Sequence, residues 1–351
     1  MEEAIKKILT EAVYAPSGDN IQPWRFEIRG NELLVYNTPE KDVTLYNYKQ
    51  HGSLIAHGAL LENINIIAPA CGCSVAVDIL PEKDPNLTAK IAFSKTEKQQ
   101  AELYAYIAKR CTNRKPYKNT ALRADERQAL LNTALPEKNI SIKLIEDPNK
   151  IKPLAYAISQ GDRLIFENKT IHDFLFSHIR WDEHEEQKYK NGLYLKTMEL
   201  NKGQQTAFRL FKNWKIMSLF NKLGMPKMAV KGNEKIYSRG SALGAITMTS
   251  AAPADYIYAG RVFQRLWLTA TSFGLSLQPL TALPFLMQKV FDGETAEFSK
   301  SDTDIIKTGY AAAENICGLS NEILTLLFRV GYADAPSGLS SRLEPEIKIQ
   351  V

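Results

Sequence analysis

PSGDNIQPWRF, residues 16–26, is the stretch that decides the fold. Before it, Ile5, Ile8, Leu9, Ala12 and Val13 recur at helical spacing over residues 3–14, and Pro16, Ser17 and Gly18 stop that helix. After it, an extended run from Trp24 to Val35 turns back at Arg29-Gly30-Asn31, as a hairpin does. Helix, tight polar turn and strand in that order gather short donors at one point of the chain: the Ser17 hydroxyl, the Asn20 amide and backbone N–H groups. A turn that merely ended a helix accounts for Pro16, Ser17 and Gly18 but not for the Gln22-Pro23-Trp24 that follows.

Further out, residues 53–71 form an apolar helical segment interrupted only by Glu62, Asn63 and Asn65, which predicts burial on most sides. Strands are expected over 74–80 and 89–93, and a helix from about Lys95 to Lys109. The pattern then starts again. Residues 58–75 (GALLENINIIAPACGCSV) overlay residues 260–277 (GRVFQRLWLTATSFGLSL) without a gap, with Gly72 on Gly274. Residues 16–26 overlay residues 135–145, where Asn20 meets Asn139 but most of the polar motif is gone. The offsets are 202 and 119, so the second copy carries 83 extra residues between these landmarks, and the insertion includes 181–236. That segment has 11 Lys or Arg against 6 Asp or Glu, a surplus equal to the net charge of the whole chain, and an aromatic run from Phe208 to Met228. An amphipathic helix packed on its own domain explains this pattern. A lid over a ligand site is the sharper alternative, and an outward basic helix touching an anionic membrane or an acidic partner is a third.

Composition sets the bounds. A chain of 351 residues, 44% hydrophobic and 24% charged, can bury substantial cores, and a net charge of only +5 argues against a duplex-DNA binder or any nucleic-acid partner. The acidic start, Met-Glu-Glu-Ala, and the lack of a long uncharged apolar run lead us to expect a cytoplasmic protein without membrane contact. Cys71, Cys73, Cys111 and Cys317 form no paired CxxC, and His51, His57, His172, His178 and His184 no HExxH, so no metal site is expected. Walker and GxGxxG loops are absent.

On residues 16–26 the chain resembles the nitroreductase superfamily, in which a Pro-Ser turn, an Asn and a Gln-Pro-Trp line one side of FMN. Arg110-Cys111-Thr112-Asn113-Arg114 is similar to the family's Arg-x-Ser-x-Arg element, with Thr in place of Ser. The resemblance makes Pro16, Ser17, Gly18, Asn20 and Gln22 cofactor-binding residues, Arg110 and Thr112 ligands of the phosphate or ribityl chain, and Arg114 a cation at the pyrimidine edge. Guanidinium forks suit phosphate oxygens. Residues 273–282 (FGLSLQPLTA) resemble the family's Gly-Leu turn, which implies that Pro279, Leu280, Thr281 and Ala282 face the flavin. The backbone N–H groups of Thr281 and Ala282 are then the catalytic donors to N5 and O4. Val330-Gly331-Tyr332 followed by Ser341-Arg342 is similar to the family's C-terminal strand and returning basic residue, which makes Arg342 a phosphate ligand.

The likeness is nearest to the long, fused Acg-type nitroreductases. It implies an α+β, nitroreductase-like fold duplicated internally: a pseudo-dimer of two mixed, antiparallel-rich sheets with flanking and central helices. The halves are 1–108 and 109–351, the second with the lid-like insertion at about 181–236. A good turn meets a good basic element only once, which implies one FMN per chain. The activity implied is ping-pong reduction of a nitroaromatic, quinone or similar small-molecule acceptor by NAD(P)H. The alternative is an FMN-binding or storage protein sealed by its lid. As a fused pseudo-dimer, the chain is expected to be a monomer or to form a homodimer.

Overall fold

The computed structural model describes residues 1–81 and 84–350. Helix α1 (Glu2–Ala12) buries Ile5, Ile8, Leu9 and Ala12 on one face and places Glu2 and Glu3 in its first turn, where the helix dipole favours negative charge. The hairpin of β1 (Trp24–Arg29) and β2 (Glu32–Asn37) closes through Gly30 and Asn31, Gly30 taking the left-handed φ of 61° that a two-residue turn asks for. Helix α2 (His51–Ala70) follows, then β3 (Cys73–Ile79) and β4 (Leu87–Lys95). The second half begins with α3 (Ala124–Asn132) and β5 (Ile140–Ile145) and continues through α4 (Pro148–Glu167) and α5 (Lys169–His178). After these come β6 (Ile179–Arg180), α6 (Glu183–Tyr189), β7 (Leu193–Tyr194), α7 (Lys202–Phe211), α8 (Trp214–Lys222) and α9 (Met225–Tyr237). It ends with β8 (Ala242–Met248), α10 (Pro253–Ser272), β9 (Ser276–Pro279), α11 (Ala282–Phe291), α12 (Lys300–Cys317), β10 (Ile323–Gly331) and β11 (Ile347–Gln350).

The expected α+β class is the class observed. One sheet runs β11-β1-β2-β4-β3 and the other β5-β8-β10-β9. If β5, β8, β9 and β10 are matched to β1, β2, β3 and β4, the two share one strand order and are antiparallel throughout. The exception is β11, which leaves its own half and pairs in parallel with β1, Phe26 opposite Ile347.

Helices α2 and α10 cross between the sheets, and their glycines set how close they come. A Cβ on Gly58 would lie 1.9 Å from the Ile257 carbonyl oxygen, and one on Gly260 would lie 2.0 Å from that of Ile55. The two contacts are reciprocal at the same 202-residue offset found in the sequence, as across a two-fold axis. The polar residues that interrupt α2 are used at this crossing. Glu62 is gripped by Arg261 and by both arms of Arg265, while the Asn63 side chain donates to the Ala12 carbonyl and accepts from Gln264. One core therefore spans both halves, joining α1, α2 and α10 with residues of both sheets.

One expectation fails, and one alternative reading of the insertion is set aside. No helix covers Lys95 to Lys109: β4 runs to Lys95, and only a short 3-10 turn forms at Tyr104–Tyr106. The backbone donors there go elsewhere, Thr96 N–H to Gly72 and Gln99 N–H to Pro69, and residues 95–102 offer no apolar face to hold a helix down. The aromatic residues of the insertion also do not line a ligand site. Phe208, Phe211 and Trp214 pack with Phe176, Trp181 and Met217 into a satellite core, and Phe220 is 40% exposed. The insertion occupies residues 146–241 between β5 and β8, where the first half has only the turn residues 30–31.

Candidate functional site

Four segments meet at one cleft of about 150 Å³: the turn after α1, the basic stretch before α3, the start of β7 with the turn after it, and the tail before β11. Its wall includes Pro16, Ser17 and Asn20; Arg110, Thr112 and Arg114; Gly192, Leu193 and Thr197; and Gly338, Ser340 and Arg342. The turn itself is strained, with Asp19, Asn20 and Gln22 at left-handed φ of 44°, 57° and 57°. Side-chain bonds hold it there. Ser17 Oγ accepts the Gln22 N–H at 2.9 Å, which leaves the hydroxyl proton free to donate. Asn20 Nδ2 donates to the Ser341 carbonyl, and Gln22 Nε2 to the Lys190 carbonyl at 2.8 Å, while Gln22 Oε1 accepts the Leu343 N–H. Gln22 is thus a buried brace joining turn, insertion and tail, and neither it nor Gly18 forms part of the cleft wall.

The basic stretch is fixed by the second half. Thr112 bridges Leu277 beside β9, the Asn113 N–H reaches the Leu277 carbonyl, and the Asn113 side chain donates to Ser276 and Asp334. Arg110 lies over the Trp267 ring at 4.3 Å and donates to the Tyr14 carbonyl; Arg114 donates to the Thr197 carbonyl at 3.2 Å. Arg342 donates to its neighbours Ser340 and Ser341.

Among the described residues, none of these three guanidinium groups has a carboxylate within ion-pair distance. Burial pushes Arg110 down to about 9, with the positive charge of Arg342 adding to the shift, and pushes Arg342 down to about 10. Arg114 is lowered by burial too, partly offset by Asp19. The Nε atoms of Arg110 and Arg342 and Oδ1 of Asn20 are buried without a hydrogen-bond partner. Cations withdrawn from water without a carboxylate partner are costly, and an anion in the cleft would offset that cost.

Pro279, Leu280, Thr281 and Ala282 do not border this cleft. They lie where β9, which runs beside Thr112, passes into α11. The Leu280 N–H is taken by the Leu327 carbonyl, whereas the N–H groups of Thr281 and Ala282 have no partner among the described residues and are half-buried at a helix N-terminus. Tyr14, Asp19, Cys111, Gly192, Leu193, Thr197 and residues 338–340 line the cleft without having been singled out in the sequence. Asp19 and Cys111 sit inside the motifs already read; the others arrive through long-range contacts that no local pattern announces.

The chain is similar in sequence to two groups of curated proteins. A probable NAD(P)H nitroreductase, PigM, of a Serratia species is 21% identical over 293 residues, covering 80% of this chain and 81% of PigM. An uncharacterized protein of Mycobacterium tuberculosis is 24% identical over 342 residues, 94% of this chain; the chain spans about half of that protein, 46% of its length. No family model matches. Among solved structures, a nitroreductase with bound FMN from Bacteroides fragilis overlays 70% of this chain and 95% of its own, at 12% identity and a TM-score of 0.36. Among the described residues, no helix is long and apolar enough to cross a membrane.

Proposed function

We propose that the chain is an FMN-dependent oxidoreductase that takes reducing equivalents from NAD(P)H. One observation carries the reading: Arg110, which is buried, and Arg114 and Arg342, which are partly buried, stand without ion pairs among the described residues around a single cleft that also presents the Ser17 and Thr112 hydroxyls and the Asn20 amide. A phosphate monoester carries nearly two negative charges and several acceptor oxygens, which offsets two facing guanidinium groups and satisfies their unpartnered Nε atoms. Arg110, Thr112, Ser17, Asn20 and Arg342 would hold that phosphate and the adjoining polyol, and Arg114 would meet the ring edge.

When bound, FMN supplies the redox chemistry, alternating in ping-pong fashion between NAD(P)H and a nitroaromatic, quinone or similar acceptor. The N–H groups of Thr281 and Ala282 stand fixed at the positive end of α11, where they would stabilise negative charge on the ring without reorganising. Pro279 and Leu280 hold that helix start against β10. No side chain needs to act as acid or base.

The halves divide at 1–108 and 109–351 as two copies of one unit, with β11 exchanged onto the first sheet. The intact turn occurs only in the first and the intact basic element only in the second, so the chain holds one FMN.

A second reading, in which the flavin is bound but sealed from reductants and acceptors, is favoured by the insertion. Its residues 190–197 clamp the turn through Lys190 and form one wall of a cleft below the roughly 300–1,000 Å³ of ordinary small-molecule sites. Anaerobic addition of NADPH or NADH to the FMN-loaded protein decides between them. Bleaching of the oxidised band within seconds is the oxidoreductase result, and colour that persists with both reductants refutes it in favour of storage.

A further inference from the structure

The turn from α8 to α9 carries an apolar tip that the fold leaves uncovered. Leu219 is 58% exposed, Leu223 71% and Met228 72%, while Met217 and Val230 of the same helices are buried. Lys215, Lys222, Lys227 and Lys231 are exposed around them, and none forms an ion pair among the described residues. Residues 202–235 hold 8 Lys or Arg against the single acid Glu234, a surplus of 7 in a chain of net charge +5, so the remainder of the molecule is net negative. Such an asymmetry turns this tip, and not another face, toward a negatively charged surface.

Packed inward, the lysine stripe would be an ordinary solvated face; here large apolar side chains and lysines share the outer face. A second copy of the chain would cover the leucines only by bringing two lysine clusters together, at a repulsive cost. An anionic lipid surface takes both, the apolar side chains entering the interface while lysine stems lie along it and their ammonium groups reach headgroup phosphates. We infer that the α8–α9 tip docks this protein onto anionic membrane, with Leu219, Leu223 and Met228 as the inserted residues and Lys215, Lys222, Lys227 and Lys231 as the headgroup contacts. The inference departs from the expectation of no membrane contact, which rested on the absence of a long uncharged apolar run and does not address a peripheral tip.

The test is sedimentation of the FMN-loaded full chain with phosphatidylcholine vesicles, with and without one-third phosphatidylserine. The expected result is binding to the anionic vesicles at least about tenfold tighter than to the neutral ones, weakened at high salt. The double variant Leu219→Ser, Leu223→Ser and the triple variant Lys222→Glu, Lys227→Glu, Lys231→Glu should each lose about tenfold or more, with circular dichroism and flavin content unchanged. Equal binding to both vesicles, no binding, or binding that neither variant weakens overturns the inference. So does a concentration-dependent dimer abolished by Leu223→Ser, which assigns the tip to self-association. Competition by soluble polyglutamate that leaves the leucine variant unaffected would assign it to an acidic protein and equally overturns it.

Discussion

Replacing Arg342 by Met should move stability and cofactor affinity in opposite directions. In the folded protein without an anion, burial holds the Arg342 guanidinium down at about 10, well below its ordinary value. At about 1.4 kcal/mol per pKa unit this is about 3 kcal/mol of destabilisation. The folded value lies below the unfolded one, so the unfolded state binds the proton more tightly from about pH 10 up to its own higher titration. Stability rises with pH only across that window, and at pH 7 the full cost is present. Removing the charge abolishes this cost and relieves Arg110, while losing the bonds to the Ser340 and Ser341 carbonyls, at about 1 kcal/mol each. The net is a gain of about 1 kcal/mol for the apoprotein, or about 2 °C in melting temperature for a chain of this size. Binding changes the other way. Two charge-assisted bonds to phosphate, at about 1.5 kcal/mol or more each, are lost, so FMN should bind at least about a hundredfold more weakly. Scanning calorimetry of the apoprotein and fluorescence titration with FMN read the two quantities separately. An apoprotein that melts several degrees lower, with FMN affinity changed less than about threefold, would make Arg342 a brace of the tail and refute the reasoning.

Three further outcomes are expected. Burial raises the Asp42 carboxyl to about 7, with repulsion from Asp19 contributing, so the parent loses stability as pH rises from about 4 through 7; Asp42→Asn should gain about 2–4 kcal/mol at pH 8 and nothing at pH 4, measured by urea unfolding at both. Gly260→Ala forces a methyl group to 2.0 Å from the Ile55 carbonyl oxygen and should cost about 3 kcal/mol or more in the same assay, whereas Gly232→Ala, with open space around its Cβ, should cost nothing. Gln22→Ala removes the bonds to Lys190, Asn20 and Leu343, so limited proteolysis should cut residues 181–200 at least about tenfold faster than in the parent, and unchanged cleavage would show that the insertion is held elsewhere.

What the sequence reveals and what it hides follow from the range of the forces involved. Helix α1, the β1–β2 hairpin and the two apolar helices α2 and α10 are legible because period and turn chemistry are local, and Gly58 and Gly260 fall at equal places in the overlay because the same close crossing is made from both sides. The stretch after Lys95 was misread because its backbone donors are claimed by Gly72 and Pro69, a tertiary contact that overrides the residues' helix propensity. In the candidate site, Pro16 to Asn20 and Arg110 to Arg114 could be named from sequence, since each is a compact run of short donors or cations. Thr197 and Gly192 could not. They reach the cleft only because the insertion folds on its own aromatic core and is then tied down by Gln22, Lys115 and Ser341. The same core explains why Phe208, Phe211 and Trp214 do not line the cleft.

The central claim is that the turn after α1, the basic stretch and the tail arginine together grip a phosphate ester. Titrating apoprotein with FMN and with riboflavin, which differ only by that phosphate, tests it directly by calorimetry. The account predicts one FMN per chain and an affinity for riboflavin at least about a thousandfold weaker, as expected for losing several charge-assisted bonds of about 1.5 kcal/mol or more each. Equal affinity for the two ligands, or two flavins per chain, would contradict it.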